Sequence, residues 1–383
     1  MSAGIEAGRA ATRAVRAGID RDEAFGAVTP PLVLSSNFSF AGFDAKRRYD
    51  YTRSGNPTRD LLGEALAELE GGAGGTVTAT GMAAITLVLH ALLEPGDRLL
   101  VPHDGYGGSW RLFKALAAKG LFELELADLT DPRALAAALV RGPKLVWIET
   151  PSNPLLRITD LRFVIDAAHQ AGALAVVDNT FLSPALYRPL EDGADVVVHS
   201  ATKYLSGHGN LLGGVIAARN GTVHAMRNRI EQLGGVMSPQ NAWQLLNGIK
   251  TLPLRMRQHS SNAMAVAEVL ASHDAVKTVN YPGLPNHPGH ELARELTGGR
   301  FSGMVSLRLV DHERSRNVFL NALEIPYKAV SLGDTVSLVW PFDEDGVIRL
   351  SLGIEDTEDL VADVRQALDA VTAQLGASAV ATG

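Results

Sequence analysis

The stretch ALAVVDNTFLSPALYRPLEDGADVVVHSATKY, residues 173–204, decides the fold class of this chain. It contains two short apolar runs, ALAVVD and ADVVVH, and each run is followed at once by polar residues. Near-continuous apolar runs of this length, alternating with helical segments, are typical of parallel strands that are covered on both faces of a sheet. The stretch therefore predicts an α/β fold.

The same alternation extends from about residue 60 to about residue 255. Helical segments such as MAAITLVLHALLEPGD and DLRFVIDAAHQAGA separate the apolar runs. Beyond residue 255 the strands alternate more and their connections are less regular, which predicts a second, α+β domain. The further strand-like runs of the first region are GTVTATG (75–81), RLLVPHD (98–104), LFELELAD (121–128), KLVWIET (144–150) and LLGGVIAA (211–218).

Three regions are predicted from these changes of pattern. Residues 1–55 are rich in Pro, Ser, Gly and Arg, and we interpret them as an extended arm that lies on another part of the assembly. Residues 56–255 form the α/β domain, and residues 256–383 form the smaller α+β domain. The length of 383 residues is consistent with two domains.

Composition excludes several classes of function. The formal net charge of −7 provides no basic surface for nucleic acid or an anionic membrane. Cysteine is absent, which rules out disulfides, thiolate metal sites and a cysteine nucleophile. No apolar window approaches about 18 residues, and the first residues lack the apolar core of a secretory signal. We therefore expect a soluble, cytoplasmic protein that binds neither nucleic acid nor membrane.

Lys203 lies just beyond the strand ADVVVH, where a charged amine is expensive to desolvate. Ligands of α/β sheets bind outside the carboxyl ends of the strands. A buried amine has a lowered pKa, and the neutral amine attacks aldehydes to form a Schiff base. This chemistry indicates pyridoxal phosphate (PLP), which needs a lysine, a phosphate site and an acid opposite its ring nitrogen.

The other PLP requirements are met at neighbouring strand ends. The hydroxyl groups of Ser200 and Thr202 flank the lysine and suit a phosphate. Gly81 and Met82 begin a predicted helix, whose free backbone N–H groups favour an anion. Asp178 ends the strand ALAVVD, where its carboxylate favours a protonated pyridine ring. Together these positions predict a Schiff-base enzyme.

Two other motifs are interpreted as structural. His199 and His208 flank the lysine, but no partner at metal-ligand spacing accompanies them, so no metal site is predicted. The segment GGAGG (71–75) follows a helix and does not fit the G-x-G-x-x-G pattern, so a dinucleotide site is not predicted.

From these residues outward, nearly the whole chain resembles the Cys/Met-metabolism (transsulfuration) family of PLP-dependent enzymes, and most of all its bacterial γ-synthases. The resemblance implies a fold type I, aspartate-aminotransferase-like large domain with a mostly parallel sheet, which binds PLP. The blocks that carry it are YDYTRSGNPTRD (49–60), TATGMAAI (78–85), HDGYGGSWRLF (103–113), IETPSNPLLRITD (148–160), VVDNTFLSPAL (176–186), HSATKYLSGHGN (199–210), GIKTLPLRM (248–256), NYPGLPNHPGHELA (280–293) and RLSLGIED (349–356).

The resemblance implies a role for each matching residue. Lys203 is similar to the lysine that binds PLP and moves protons between substrate carbons, and Tyr106 to the catalytic ring that stacks on the cofactor. Arg349 matches the arginine that pairs with the substrate α-carboxylate, a task suited to a bidentate guanidinium. The remaining matches are Asp178 for the ring nitrogen, Gly81, Met82, Ser200 and Thr202 for the phosphate, Tyr51 and Arg53 for the phosphate of a neighbouring subunit, Asn153 for the cofactor, Ser331 for the substrate, and Arg111 for the distal acyl group.

The arm implies a partner chain, and the family implies a homotetramer of two active dimers. The expected reaction is γ-replacement on an O-acyl-L-homoserine by a thiol such as cysteine. One alternative is γ-elimination from cystathionine or methionine, which yields 2-oxobutanoate, ammonia and a thiol. A remote alternative is a non-catalytic PLP-binding scaffold, against which the joint presence of Lys203, Asp178, Tyr106 and Arg349 argues.

Several positions depart from the family pattern. Val330 occupies the position of a glutamate that meets the distal amino group of cysteine or cystathionine, and valine cannot pair with an ammonium group. Gly108 occupies the position of the active-site cysteine of methionine γ-lyases. The segment WPFDEDG (340–346) replaces a longer stretch and predicts a shortened loop over the active site. We interpret the chain as a γ-synthase-like member, and these departures leave open whether its substrate is that of typical members.

Overall fold

The computed structural model describes residues 9–219, 221–342 and 346–381. The chain divides into two compact units, one of residues 1–149 and 159–253 and the other of residues 150–158 and 254–383. Residues 150–158, which the sequence pattern assigns to the α/β domain, thus group with the second unit, and the arm groups with the first.

The first unit contains a seven-stranded sheet in the order β1-β7-β6-β5-β4-β2-β3 within the described residues. The pairs from β3 through β2, β4 and β5 to β6 are parallel, whereas β7 pairs antiparallel with both β6 and β1. The mostly parallel sheet confirms the predicted fold class. Its strands are β1 (Gly74–Thr78), β2 (Arg98–Pro102), β3 (Glu123–Ala127), β4 (Leu145–Glu149), β5 (Leu174–Asp178), β6 (Val196–Ser200) and β7 (Gly214–Ala218).

Several helices of the first unit begin where a side chain accepts hydrogen bonds from the free amides of the first turn. Asn56 accepts hydrogen bonds from the amides of Thr58 and Arg59 ahead of Pro57, and Thr80 accepts one from the amide of Ala83. The helices are α1 (Ala10–Val15), α2 (Pro57–Glu70), α3 (Gly81–Leu92), α4 (Gly107–Ala118), α5 (Pro132–Leu139), α6 (Leu161–Gln170), α7 (Ser183–Leu186) and α8 (Thr222–Leu233); α9 (Pro239–Ala271) continues past the division after Pro253.

The described part of the arm, residues 9–55, consists of α1 followed by turns and isolated bridges. One such bridge pairs Asn37 with Tyr51, and Trp243 of α9 donates a 3.0 Å hydrogen bond to the carbonyl of Pro30. Phe25 and Phe43 of this segment are almost completely exposed. The arm therefore presents large apolar side chains on the surface of the single chain.

The second unit is a five-stranded sheet in the order β10-β11-β12-β9-β8, again within the described residues. All its pairings are antiparallel except that of β10 with β11. Its elements are β8 (Val276–Asn280), α10 (His290–Thr297), β9 (Met304–Leu309), α11 (His312–Ala322), β10 (Tyr327–Lys328), β11 (Leu338–Phe342), β12 (Val347–Ser351) and α12 (Thr357–Ala381).

The segment 340–346, which the sequence predicts to be a shortened loop, is β-strand over its first three residues, at the end of β11. Residues 343–345 lie outside the described residues. Among the helices that the structure describes, none combines the length and the apolar character needed to cross a bilayer.

Candidate functional site

Three neighbouring strands end at the same edge of the first sheet. Glu149 ends β4, Asp178 ends β5 and Ser200 ends β6, and Glu149 lies in register with Asp178. Lys203 follows three residues beyond β6, in a turn where its amide donates a 3.1 Å hydrogen bond to the carbonyl of Ser200. The sequence-predicted residues Asp178, Ser200 and Lys203 are thus brought to one edge.

Asp178 is fixed by the residue two positions further along the chain. Its Oδ1 atom accepts hydrogen bonds from the amide of Thr180 at 3.0 Å and from the hydroxyl of Thr180 at 2.5 Å. The same hydroxyl oxygen accepts a 2.8 Å hydrogen bond from the amide of Ser200. Thr180 therefore connects the ends of β5 and β6, a role that sequence reasoning missed.

Burial raises the pKa of the Asp178 carboxyl group, while the two hydrogen bonds from Thr180 and the charge of His199 act in the opposite direction. A cation placed beside this acid would stabilise its ionised form. A protonated pyridine ring is such a cation, so the environment of Asp178 fits the role that the sequence predicts for it.

Glu149 is a second buried acid at this edge, and sequence reasoning missed it. Its side chain is 7% exposed, and burial together with the neighbouring charge of Asp178 raises the pKa of its carboxyl group well above the usual range. A pattern in the sequence could have revealed it, because Glu149 ends the run KLVWIE as Asp178 ends the run ALAVVD.

Tyr106 immediately precedes α4, and its amide donates a 2.8 Å hydrogen bond to Oε2 of Glu149. Its ring lies directly on the backbone of Gly108. A Cβ atom built on Gly108 would lie 2.7 Å from Cζ and 2.9 Å from Oη of the ring, closer than real contacts allow. Because the ring occupies the space of a side chain at position 108, a cysteine there would require Tyr106 to move.

The start of α3 lies directly against Ser200. A Cβ atom built on Gly81 would lie 2.8 Å from Cβ and 2.9 Å from Oγ of Ser200, so only glycine fits at this position. Thr80 caps the amide of Ala83, and the amides of Gly81 and Met82 are the first two of the helix, where no intrahelical acceptor is available. Helix N-terminal amides beside a serine hydroxyl fit a phosphate group.

Thr202 joins the turn after β6 to the start of β7. Its hydroxyl oxygen accepts a 3.1 Å hydrogen bond from the amide of Gly213. The same hydroxyl donates a 3.4 Å hydrogen bond to the carbonyl of Gly213, so it both accepts from and donates to this one residue. The prediction that Thr202 contacts a phosphate is untested by this geometry.

The two flanking histidines have different surroundings. His199 is buried, and its Nε2 atom lies 2.5 Å from Oε1 of Glu70, which also accepts a 3.2 Å hydrogen bond from Asn179. His208 is exposed, and its Nδ1 atom lies 2.6 Å from the carbonyl oxygen of Ser206. The pair of His199 and Glu70 ties α2 to the strand that carries Ser200.

The second unit brings together three predicted residues that are far apart in the sequence. Arg349, on β12, donates hydrogen bonds to Oδ1 of Asn153 at 2.8 Å and to the carbonyl oxygen of Ser331 at 3.1 Å. Its guanidinium group also lies 4.8 Å from the ring centroid of Phe342. Ser331 has a φ of 145°, a strained conformation for a residue with a side chain. This arrangement holds a cationic group in a fixed orientation, as carboxylate recognition requires.

The other predicted residues lie elsewhere in the first unit. Arg111 is exposed on α4 and bends back toward the start of the helix, with Nη1 3.4 Å from a Cβ atom built on Gly107. Tyr51 and Arg53 are both exposed on the arm, and the guanidinium carbon of Arg53 lies 5.6 Å from the Tyr51 ring centroid. Arg53 also donates a 3.1 Å hydrogen bond to the carbonyl of Glu231 in α8.

Comparison with known proteins relates this site to one enzyme family. Residues 11–341 match the family model for Cys/Met metabolism PLP-dependent enzymes. The chain is 44% identical over 375 residues to cystathionine gamma-synthase of Escherichia coli (strain K12), covering 92% of this chain and 96% of that protein. It is 40% identical over 379 residues to cystathionine gamma-lyase of Bacillus subtilis (strain 168), covering 94% of this chain and 98% of that protein.

A solved structure is similar over almost its full length. Cystathionine gamma synthase from Xanthomonas oryzae pv. oryzae, determined in complex with aminoacrylate and cysteine, superposes with a TM-score of 0.93 at 57% sequence identity. The match covers 95% of this chain and 99% of that chain.

Proposed function

This chain belongs to the Cys/Met-metabolism family of PLP-dependent enzymes, and we propose that it catalyses γ-replacement, in which a thiol such as cysteine displaces the acyl group of an O-acyl-L-homoserine. The observation that carries this proposal is the sheet edge at which Asp178, Ser200 and Lys203 meet. Two of the similar proteins, from E. coli and X. oryzae, are cystathionine gamma-synthases, and the latter was solved with cysteine.

Family membership makes the protein a PLP-dependent enzyme, which removes the scaffold alternative. When bound, PLP supplies an aldehyde for amines and a protonated ring that accepts electrons. In the proposed site, the carboxylate of Asp178 pairs with the ring nitrogen. The amides of Gly81 and Met82 and the hydroxyl of Ser200 bind the phosphate, and the ring of Tyr106 covers the cofactor.

The chain's own groups would then perform separate tasks. The amine of Lys203 accepts and returns protons at the α and β carbons of the substrate, which general base catalysis requires to lie within hydrogen-bonding reach. Arg349 binds the α-carboxylate, and its bond to Asn153 keeps the guanidinium in one orientation. Arg111 provides a positive charge for a carboxylate at the distal end of an acyl group such as succinyl.

The second candidate function is γ-elimination, which yields 2-oxobutanoate and ammonia. Val330 favours it, because this side chain is 67% exposed and offers no charge for the amino group of an incoming cysteine. The similarity to a gamma-lyase of B. subtilis adds support. Gly108 argues against a methionine γ-lyase in particular, since the Tyr106 ring fills the space that a cysteine side chain would need.

A product analysis distinguishes the two functions. The PLP-loaded protein is supplied with O-succinyl-L-homoserine, with and without cysteine, and cystathionine and 2-oxobutanoate are quantified. We expect cystathionine to dominate when cysteine is present, whereas 2-oxobutanoate in equal amounts under both conditions would favour the lyase. The variant Lys203→Ala is the control, because any product that it forms does not depend on the amine of Lys203. Absence of either product from fully loaded protein would contradict both proposals.

We further propose that the active assembly is a homotetramer of two dimers, in which Tyr51 and Arg53 serve a neighbouring subunit. The exposure of Phe25 and Phe43 supports this assembly, because burial of their apolar side chains against a partner chain would lower the free energy. Light scattering coupled to gel filtration measures the assembly. Deletion of residues 9–45, which removes both phenylalanines, should yield smaller species, and an unchanged mass would contradict this role of the arm.

A further inference from the structure

Glu149 has no task in the reaction proposed above, although it lies beside Asp178. The two residues are in register on adjacent parallel strands, whose backbones are about 5 Å apart. Glu149 ends β4 as Asp178 ends β5, so both carboxyl groups belong to the sheet edge that carries Lys203. A buried acid placed next to another acid is costly, and such a pair is therefore a candidate for a functional role.

The contacts of Glu149 connect it to Tyr106. Its Oε2 atom accepts the 2.8 Å hydrogen bond from the Tyr106 amide, and a Cβ atom built on Gly105 would lie only 3.1 Å from the same oxygen. Tyr106 is the residue that precedes α4, and its own side chain does not cap the helix. Glu149 thus provides the acceptor that fixes the backbone from which the Tyr106 ring projects.

The charges around the two acids oppose their simultaneous ionisation. Asp178 and Asp104 both disfavour the anion of Glu149, while the amide of Tyr106 favours it. His199 favours the anion of Asp178. Two buried carboxyl groups that interact this closely titrate as a unit, and the pair retains a proton at a pH where isolated acids have lost theirs.

We propose that Glu149 is a positioning residue that holds Tyr106 in place, and that Glu149 and Asp178 together retain one proton until a protonated pyridine ring enters the site. The positive ring beside the pair would then favour two carboxylates, so the O–H bond of the protonated carboxyl group would break and its proton would pass to the solvent. This inference rests on the proposed use of PLP. The inference predicts that cofactor binding releases a proton and that this release requires Glu149.

Calorimetry can count this proton. Apo protein is titrated with PLP at one pH in two buffers of different ionisation enthalpy, and the difference in heat gives the protons released per cofactor bound. Protons released by Schiff-base formation at Lys203 are common to all variants. We expect Glu149→Gln to release up to about one proton fewer than the wild type, and the exposed control Glu94→Gln to match the wild type.

The positioning role has a separate readout, the circular dichroism of bound PLP in its absorption band. Glu149→Gln keeps an oxygen that can accept the Tyr106 amide, so we expect the wild-type signal. Glu149→Leu removes the acceptor, and Gly105→Ala presses on Oε2, so we expect both to reduce the signal. The second of these variants tests the role even if the first does not fold.

The outcomes are distinguishable. Equal proton release by wild type and Glu149→Gln would overturn the shared proton, and a wild-type dichroism signal in folded Glu149→Leu or Gly105→Ala would overturn the positioning role. Wild-type protein that binds no PLP would contradict the proposed function and, with it, this inference.

Discussion

Asn153 and Arg349 are 196 positions apart in the chain, and Oδ1 of Asn153 accepts a 2.8 Å hydrogen bond from Nη1 of Arg349. The family resemblance implies that Asn153 contacts the cofactor, whereas this bond connects it to the proposed carboxylate-binding arginine. A hydrogen bond to a charged group contributes about 1.5–3 kcal/mol, so its loss should be measurable in substrate binding.

We predict that Asn153→Ala raises the KM for the amino-acid substrate about tenfold, which corresponds to about 1.4 kcal/mol. The Kd for PLP should change less, because the variant disturbs Arg349 rather than the cofactor. Steady-state kinetics and a PLP titration give the two values, with the exposed Asn317→Ala as the control. If the Kd for PLP rose as much as the KM for the substrate, a contact between Asn153 and the cofactor would be favoured instead.

Gly81→Ala should weaken PLP binding at least about tenfold. The added Cβ atom would press on Ser200 from 2.8 Å, and the two residues belong to the proposed phosphate site. Fluorescence quenching by PLP measures the affinity. Gly376→Ala is a matched control, because this helical glycine has open space around it. Unchanged affinity in Gly81→Ala would remove this helix terminus from the phosphate site.

Gly108→Ala should displace the Tyr106 ring, since the new Cβ atom would lie 2.7 Å from Cζ of that ring. We expect an altered absorbance spectrum of bound PLP and a slower reaction. The adjacent variant Gly107→Ala is the control for the spectrum, because its Cβ atom would meet only the flexible side chain of Arg111 at 3.4 Å and not the Tyr106 ring. A wild-type spectrum in Gly108→Ala would show that the ring does not contact the cofactor.

His259 should make the second unit sensitive to acid. Burial, aided by the charge of Arg255, lowers the pKa of His259 to about 4, and its Nδ1 atom lies 2.7 Å from the carbonyl oxygen of Leu352. A lowered pKa means that the folded state binds the proton less well than the unfolded state. The free energy of unfolding should therefore fall as the pH drops from about 6.5 toward 4, by about 3 kcal/mol at most.

Urea denaturation across this pH range tests the effect. His259→Gln should flatten the pH dependence within the window, whatever its effect on the stability at neutral pH. The exposed His224→Gln should leave the dependence as in the wild type. An identical slope in His259→Gln and the wild type would assign the acid sensitivity to other groups.

The fold and much of the proposed site follow from local sequence. Asp178 ends an apolar run, Lys203 and Gly81 each come three residues after a strand, and the ends of parallel strands necessarily meet at one edge of the sheet. Burial of a complete strand leaves the same hydrophobic pattern whichever side chain ends it. A polar residue at the end of such a run is therefore the feature that indicates a site. Glu149 has this feature, as Asp178 does, but the sequence analysis did not predict it as a site residue.

Other parts of the site could not be predicted from local pattern. The meeting of Arg349 with Asn153 depends on packing between segments that no periodicity connects. The hydrogen bond from Ser200 to Thr180 depends on the register of β5 and β6, which apolar runs alone do not specify. The tight approach of Gly81 to Ser200 likewise arises from the placement of α3 against the sheet.

Thr180 links the two ends of the proposed cofactor site. One hydroxyl donates to the acid assigned to the ring nitrogen and accepts from the amide of the residue assigned to the phosphate, so a single side chain connects these two ends. A vitamer whose ring and phosphate are spaced differently would strain this connection, so we expect the proposed site to select its cofactor by span as well as by charge.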